Sequence, residues 1–426
     1  MLSTLRNAWR VPELRRRILF TLMIVAIFRM GIFIPVPGVD ASKVATLVGD
    51  SGSLLSFYDM IAGGAFSKFS IFALGVTPYI NASIIIQLLT VAIPYLEELS
   101  KEGQDGRKKI QNYTKYAAMV FALIQGYASY VLIKNSGAIL IDGTFGLLLI
   151  LLTMITGTML LVWIGEQIST RGIGSGVSVI IFVNIISSLP TTGYQIAGLL
   201  QSNRVSLVEV VIFVAVALAL LVTVVVINLA ERRIPVQYAG KAVGRKVVKS
   251  QSSHIPISLN SSGVMAIIFG MSVMQFPTVI AQIWPNSSFA KFVTSSPWSI
   301  FQQNTLKYVV AYFLLILFFA WFYTIITFKP DEMAENMNKS SGFIPGIRPG
   351  EKTAAYLEKI LTRISLLGGT FAAIIAVVPI LAAIFTNFQG ISFGGTSLLI
   401  LVGVSLDTMK QLESQLVMRH YEGFLK

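Results

Sequence analysis

No cysteine occurs anywhere in the chain, which excludes disulfides, thiolate metal sites and cysteine nucleophiles. Histidine is nearly absent: the two, His254 and His420, lie in polar segments without a second histidine or a nearby carboxylate at metal-ligand spacing. Charged residues make up 12% of the 426, about half the share of a soluble globular domain. No catalytic constellation assembles, no nucleotide or cofactor signature stands out, and the chain does not read as an enzyme. The run Arg171-Gly172-Ile173-Gly174-Ser175-Gly176 has the glycine density of a phosphate loop. It follows an apolar stretch instead of a strand and lacks the P-loop lysine, so it reads as a tight turn opening a helix.

What fills the space is apolar. The mean hydropathy is +0.73, delivered in blocks of roughly 20 residues, the length that crosses a bilayer. Ten such blocks lie near residues 18–34, 71–93, 116–133, 145–164, 177–189, 207–229, 264–283, 308–328, 364–385 and 396–409. The fifth is the shortest. Positive charge orients them. The N-terminus, the even-to-odd loops and the C-terminus hold about 26 of the 33 Lys and Arg, the opposite loops about six, which puts both termini and the basic loops in the cytoplasm. Arg6, Arg10, Arg15, Arg16 and Arg17 precede the first block. No small-residue cleavage site follows it, so it is expected to be a retained helix and not a signal peptide.

The expected fold is therefore an all-α integral membrane protein of ten transmembrane helices. Five spans followed by five permit an inverted repeat, the architecture that places a site at the midplane between halves. Two cytoplasmic loops are long, residues 230–262 and 329–363. One stretch breaks the pattern of full-length spans. Residues 54–66, with Leu54, Phe57, Met60 and Ile61 followed by Gly63, Gly64 and Phe66, are apolar but too short to cross. A half-length helix, a Gly-Gly hinge and then a full span dip into the membrane and re-emerge, which is tolerated only where protein or a watery cavity covers the backbone.

Charge inside the spans is sparse. Arg29 is the clear case, expected to snorkel or to bond carbonyls of neighbouring helices. Asp407 is expected to pair with Lys410 one turn on. A secondary transporter for a small solute, the main alternative, calls for ion ligands within spans, and an intramembrane protease for paired aspartates, Ser with His, or zinc ligands. Neither set is present. Pairs of aliphatic residues at four-residue spacing, Ile80 with Ile84 and Val177 with Ile181, are ordinary packing or lipid-facing positions when read alone.

Longer strings change that reading. Phe72-Ala-Leu-Gly-Val-Thr-Pro78-Tyr79-Ile80-Asn81-Ala-Ser-Ile84-Ile85-Ile86-Gln87 resembles the second span of the SecY family, channel subunits of the bacterial secretion translocon. Phe33-Ile-Pro35-Val-Pro37-Gly38, Gly165-Glu166-Gln167-Ile168, Gln251-Ser-Ser-His254-Ile-Pro256, Gly342-Phe-Ile-Pro345-Gly346-Ile347-Arg348-Pro349-Gly350-Glu351 and Phe393-Gly394-Gly395 resemble further family segments, in the family's order. The resemblance implies an hourglass pore between two inverted five-helix halves, residues 1–206 and 207–426. Its waist would be a ring of Ile80, Ile84, Val177, Ile181, Ile268 and Ile400. Members of the family more usually carry isoleucine at the position of Val177, so the ring here would be slightly looser. Residues 54–66 would be a re-entrant plug. The family has a lateral gate between the second and seventh spans, at which Gln87 would lie by the family's pattern; Gln275, a polar residue of the seventh span, is placed opposite it by inference from the sequence. Arg245, Lys246, Arg348, Gly350 and Glu351 would dock cytoplasmic partners. The implied partners are the SecE and SecG membrane subunits, the SecA ATPase, the ribosome, signal sequences, unfolded preproteins and lipids. The implied place is the plasma membrane, with no cofactor.

Overall fold

The computed structural model describes residues 2–50, 59, 62–141, 143–202, 205–238, 242–243, 246–247, 252–260, 264–302, 305–385 and 395–424. Within them, ten helices of 16 residues or more coincide with the ten apolar blocks. They are Pro12–Gly31, Thr77–Ala92, Gln104–Asn135, Thr144–Arg171, Gly176–Gln201, Leu207–Leu229, Met265–Ile283, Leu306–Phe328, Glu351–Phe385 and Gly395–Phe424, here the first to tenth spans. Seven are long and apolar enough to cross a membrane on their own, or eight if a bent pair is counted as one span.

The ends follow from local chemistry. Pro12 and Pro78 sit in the first turns of the first and second spans, where a missing N–H costs nothing. The sixth span opens on a capping box in which Ser206 Oγ accepts from Glu209 N and Glu209 Oε2 accepts from Ser206 N. Thr305 caps the eighth span by accepting from Tyr308 N. Pro94 breaks the second span into a 100° bend toward the short helix Pro94–Lys101, because its ring cannot continue the turn before it.

Several features differ from the expected ones, the third, ninth and tenth spans among them, whose helices run on into the flanking loops. The second span starts at Thr77 and not near residue 71. The preceding apolar residues form consecutive turns whose Phe72, Ala73, Leu74 and Val76 are buried in protein. The fifth span is not short. It runs 26 residues through Pro190, its far half disguised by serine, threonine and glycine. The two long loops also carry order. Strand β1 (Glu231–Tyr238) pairs antiparallel with β4 (Ser252–Ser258), while the small strands β2 (Ala242–Val243) and β3 (Lys246–Val247) pair with each other between them. Strand β5 (Gly342–Phe343) of the later loop adds to β1, giving the order β4-β1-β5. The helix Pro330–Lys339 lies just before β5. Ile234, Val236 and Ile257 point inward, onto Met337, Ile344, Leu357 and Leu361. The two loops thus share one core.

The main apolar cluster is buried among the first to fifth, seventh, eighth and tenth spans. The outward faces remain apolar. Leu207, Val211, Leu218, Val222 and Val226 are all exposed on the sixth span, only 11% of whose apolar window is buried. A surface of this kind belongs in lipid and not in water.

Candidate functional site

The six residues expected to form the ring, on four spans, all belong to the main apolar cluster or pack against it. Ile84, Ile181, Ile268 and Ile400 are buried in the main cluster, and Ile80 and Val177 are half-buried against it. The 3.6-residue period puts Ile80 and Ile84 on one face of the second span, and likewise Val177 and Ile181 on the fifth. Val177 follows the turn at 172–175, where Gly174 has φ +86° and Gly176 starts the helix against the Gly165 backbone. The glycine run is therefore a turn between helices. Val404, one turn beyond Ile400, is buried in the same cluster.

Of the expected plug, Leu54, Phe57, Met60 and Ile61 lie outside the described residues. Gly63, Gly64 and Phe66 are described, and Ala62, Ala65 and Phe66 are buried in the cluster that contains the ring residues. Asp59 and residues 62–70 are tied together. Asp59 Oδ1 accepts from Ser67 N at 2.7 Å, Asp59 O accepts from Gly64 N at 2.9 Å, and Ala65 O accepts from Ser70 N at 2.9 Å. Arg29 Nη1 donates to Gly63 O at 3.1 Å, so the intramembrane arginine bonds a carbonyl, though of the hinge turn and not of a helix. Gly63 has φ +69°, and a Cβ there would collide with the Asn184 amide and lie 2.9 Å from Arg29 Nη1. Asn184, on the fifth span, is buried. No sequence motif marks its meeting with Arg29 and Gly63.

Between the second, third and seventh spans lies a pocket in which polar Asn81, Gln125, Ser129, Gln275, Thr278 and Gln282 share the lining with Phe66 and Phe276. Gln275 lines it and Gln87 does not. Asn81 and Gln125 take part unforeseen: Asn81 Oδ1 and Gln125 Oε1 are buried, and no donor among the described residues reaches them. Beside the pocket, Phe121 of the third span packs edge to face on Phe276 of the seventh, 6.3 Å between centroids. Lys115 and Glu166 pair at 2.5 Å, tying the third span to the fourth. Asp407 is exposed and forms no ion pair with Lys410 among the described contacts.

On the sheet side, β5 runs straight into the turn Ile344-Pro345-Gly346-Ile347, with Arg348 following it. Ile347 N donates to Ile344 O at 3.1 Å, and Gly346 has φ +83°. Proline then glycine at the two central positions is the type II turn. Ile344 is buried and Ile347 half-buried in the core beneath the sheet, so the turn is nailed down on both sides and Arg348 stands exposed beside it. Gly350 O accepts from Thr353 N and Ala354 N at 2.9 and 3.1 Å, and Glu351 is the exposed first residue of the ninth span. Arg245 lies outside the described residues. Lys246 stands in β3 opposite Val243. Nearby Glu335 is held below its ordinary carboxylate range by the hydrogen bond from Lys339 at 2.8 Å.

Comparison with known proteins agrees on one group. The sequence model of the SecY family matches residues 70–409. The protein translocase subunit SecY of Streptomyces galbus is 42% identical over the whole of both chains. The corresponding subunit of Thermotoga maritima is 40% identical over all of this chain and 98% of its own. Among solved structures, one described as the structure of a protein conducting channel superposes with a TM-score of 0.67, at 16% identity, over 94% of this chain and 92% of that one. Sec61 in the canine ribosome-channel complex from the endoplasmic reticulum superposes with a TM-score of 0.63, at 15% identity, over the same shares.

Proposed function

The chain belongs to the SecY family, and on that premise we propose how its parts serve a protein-conducting channel. It is a multi-pass membrane protein and a translocation channel, not an enzyme. It passes unfolded secretory polypeptides across the membrane and releases transmembrane segments sideways into lipid. Relatives that are translocase subunits along their full length leave the small-solute transporter unsupported.

The observation that carries the mechanism is the convergence of aliphatic side chains from four spans into one cluster. Such side chains give an ion nothing to replace its hydration shell, so a narrow ring of them dewets and blocks leakage. They also grip an extended polypeptide without hydrogen-bonding any particular sequence. The segment around Gly63-Gly64 serves as the plug, seated by Ala62, Ala65 and Phe66 in the main cluster, and moves aside when a chain enters. The pocket with the Phe121–Phe276 contact is the seam through which segments leave. Interhelical polar contacts in membranes average about 0.6 kcal/mol, weak enough to part.

Residues 1–206 and 207–426 form the two inverted halves. Both termini and the sheet face the cytoplasm, across the plasma membrane. There Arg348, Lys246, Arg245, Gly350 and Glu351 receive the SecA motor or the ribosome, while SecE and SecG bind within the membrane. Arg348 offers a planar fork suited to carboxylate or phosphate. The test is Ile84→Asn combined with Ile268→Asn. In reconstituted vesicles this variant should leak ions at rest while still translocating a precursor. Resting conductance equal to that of the unmodified channel, at equal amounts of folded protein, removes these residues from the seal.

A further inference from the structure

The connection between the seventh and eighth spans, on the face opposite the sheet, carries a patch that the channel mechanism does not use. The helix Ser288–Ser295 begins five residues after the seventh span ends at Ile283. Its inner face is settled: Ala290 and Val293 pack with Ala281 against Phe301. The polar atoms of the connection are turned on one another. Ser287 Oγ accepts from Ala290 N, Ser299 Oγ donates to Val293 O at 2.7 Å, and Gln302 Nε2 donates to Thr294 O at 2.8 Å. Outward stand Trp284, Phe289, Phe292, Trp298 and Ile300, all exposed, Trp298 to 80%.

We propose that this patch is an interfacial anchor that seats the connection in the headgroup and upper acyl zone of the bilayer leaflet opposite the sheet. Four observations select lipid as the occupant. Both ends of the connection are the ends of spans, so it starts and finishes at membrane level. The eighth span carries an exposed apolar stripe of its own, Leu306, Val310 and Leu314, repeating every four residues and beginning six residues after Ile300. Residues 284–307 contain no aspartate or glutamate, and their only charges are Lys291 and Lys307, the sign that anionic headgroups attract. Lys307 Nζ lies 5.2 Å from the Trp298 ring centroid and donates to Pro297 O at 2.6 Å, which fixes an amphipathic ring beside a cation. Tryptophan prefers this depth because its ring is apolar and its N–H is wet. A channel whose seventh span is moored this way has one wall of its exit seam coupled to the surrounding lipid.

The experiment uses the full chain in phosphatidylcholine vesicles, with Trp9, Trp163, Trp284 and Trp321 replaced by Phe so that only Trp298 emits. Bromine placed near the headgroup end of the acyl chains should remove most of the Trp298 emission. Bromine placed deep in the chains should remove little, and aqueous iodide less still. If the four replacements impair folding, the spectrum of the unmodified chain minus that of Trp298→Phe reports the same residue. Trp298 quenched by iodide and untouched by either brominated lipid overturns the proposal. Protection from both lipid and iodide in the assembled complex overturns it too, because a protein partner then covers the patch.

Discussion

Replacing Gly63 with alanine tests the resting plug at its most constrained point. Two costs fall on the resting conformation. At φ +69° an L-residue loses about 1–2 kcal/mol against its preferred backbone region. The new methyl also enters space held by the Asn184 amide and Arg29. Asn184 is buried and cannot simply swing aside, and displacing Arg29 breaks a hydrogen bond from a charged group, about 1.5–3 kcal/mol. Both costs lapse once the plug swings out and Gly63 leaves this geometry, so the mutation raises the displaced population. The backbone cost alone corresponds to a factor of roughly 5–30. Gly64→Ala is the control. Gly64 has φ +81° but nothing within 4 Å of its would-be Cβ, so it bears the backbone cost without the collision. Ion conductance of reconstituted, substrate-free channels should rise in the order unmodified, Gly64→Ala, Gly63→Ala. Adding Asn184→Ala to Gly63→Ala should recover part of the tightness. Equal conductance for both glycine variants, with equal folded protein, would refute the Arg29–Gly63–Asn184 clamp.

Arg348→Glu should sharply reduce motor-driven import of a secretory precursor into vesicles while leaving resting ion tightness intact, since docked arginines commonly cost about 2 kcal/mol or more when lost. Arg348→Lys should be partly competent, keeping the charge without the planar fork. Full activity of the Glu variant would demote Arg348 to ordinary positive-inside charge. Phe276→Ala should loosen the seam by about 0.5–1.5 kcal/mol through loss of the Phe121 contact, allowing less hydrophobic signal sequences to be accepted in a translocation assay. An unchanged hydrophobicity requirement would show that the aromatic pair does not hold the seam.

The spans are legible because lipid imposes length and apolarity at once, and few other structures do. Where an apolar run serves a different purpose, the pattern misleads. Residues 71–76 are apolar because protein buries them, not lipid, and so merge with the second span when only hydropathy is read. The far half of the fifth span hides because Pro190 and the serines, threonines and glycines around it break the apolar run that hydropathy detects. The sheet escapes notice because basic residues and Pro235 and Pro256 suggest loops. The alternation of Ile234 with Val236 and of Ile255 with Ile257 is its available signal. Gln275 can be placed on its span, but its company cannot. Asn81 and Gln125 line the same pocket from two other helices, and no spacing in one chain encodes that grouping.

The turn bearing Arg348 runs with only Pro349 and Gly350 between into a single helix of 35 residues, Glu351–Phe385, about 50 Å long at 1.5 Å per residue. Its first turns are clamped beneath the sheet through Leu357 and Leu361, and its far part packs against the eighth span and into the apolar cluster shared by the sixth to tenth spans. There is no slack linker to absorb motion between the two. A partner seated on Arg348 would therefore grip the end of a lever whose interior proline, Pro379, comes only near its far end. Load applied outside the bilayer arrives among the spans as displacement and not as heat in a floppy tether.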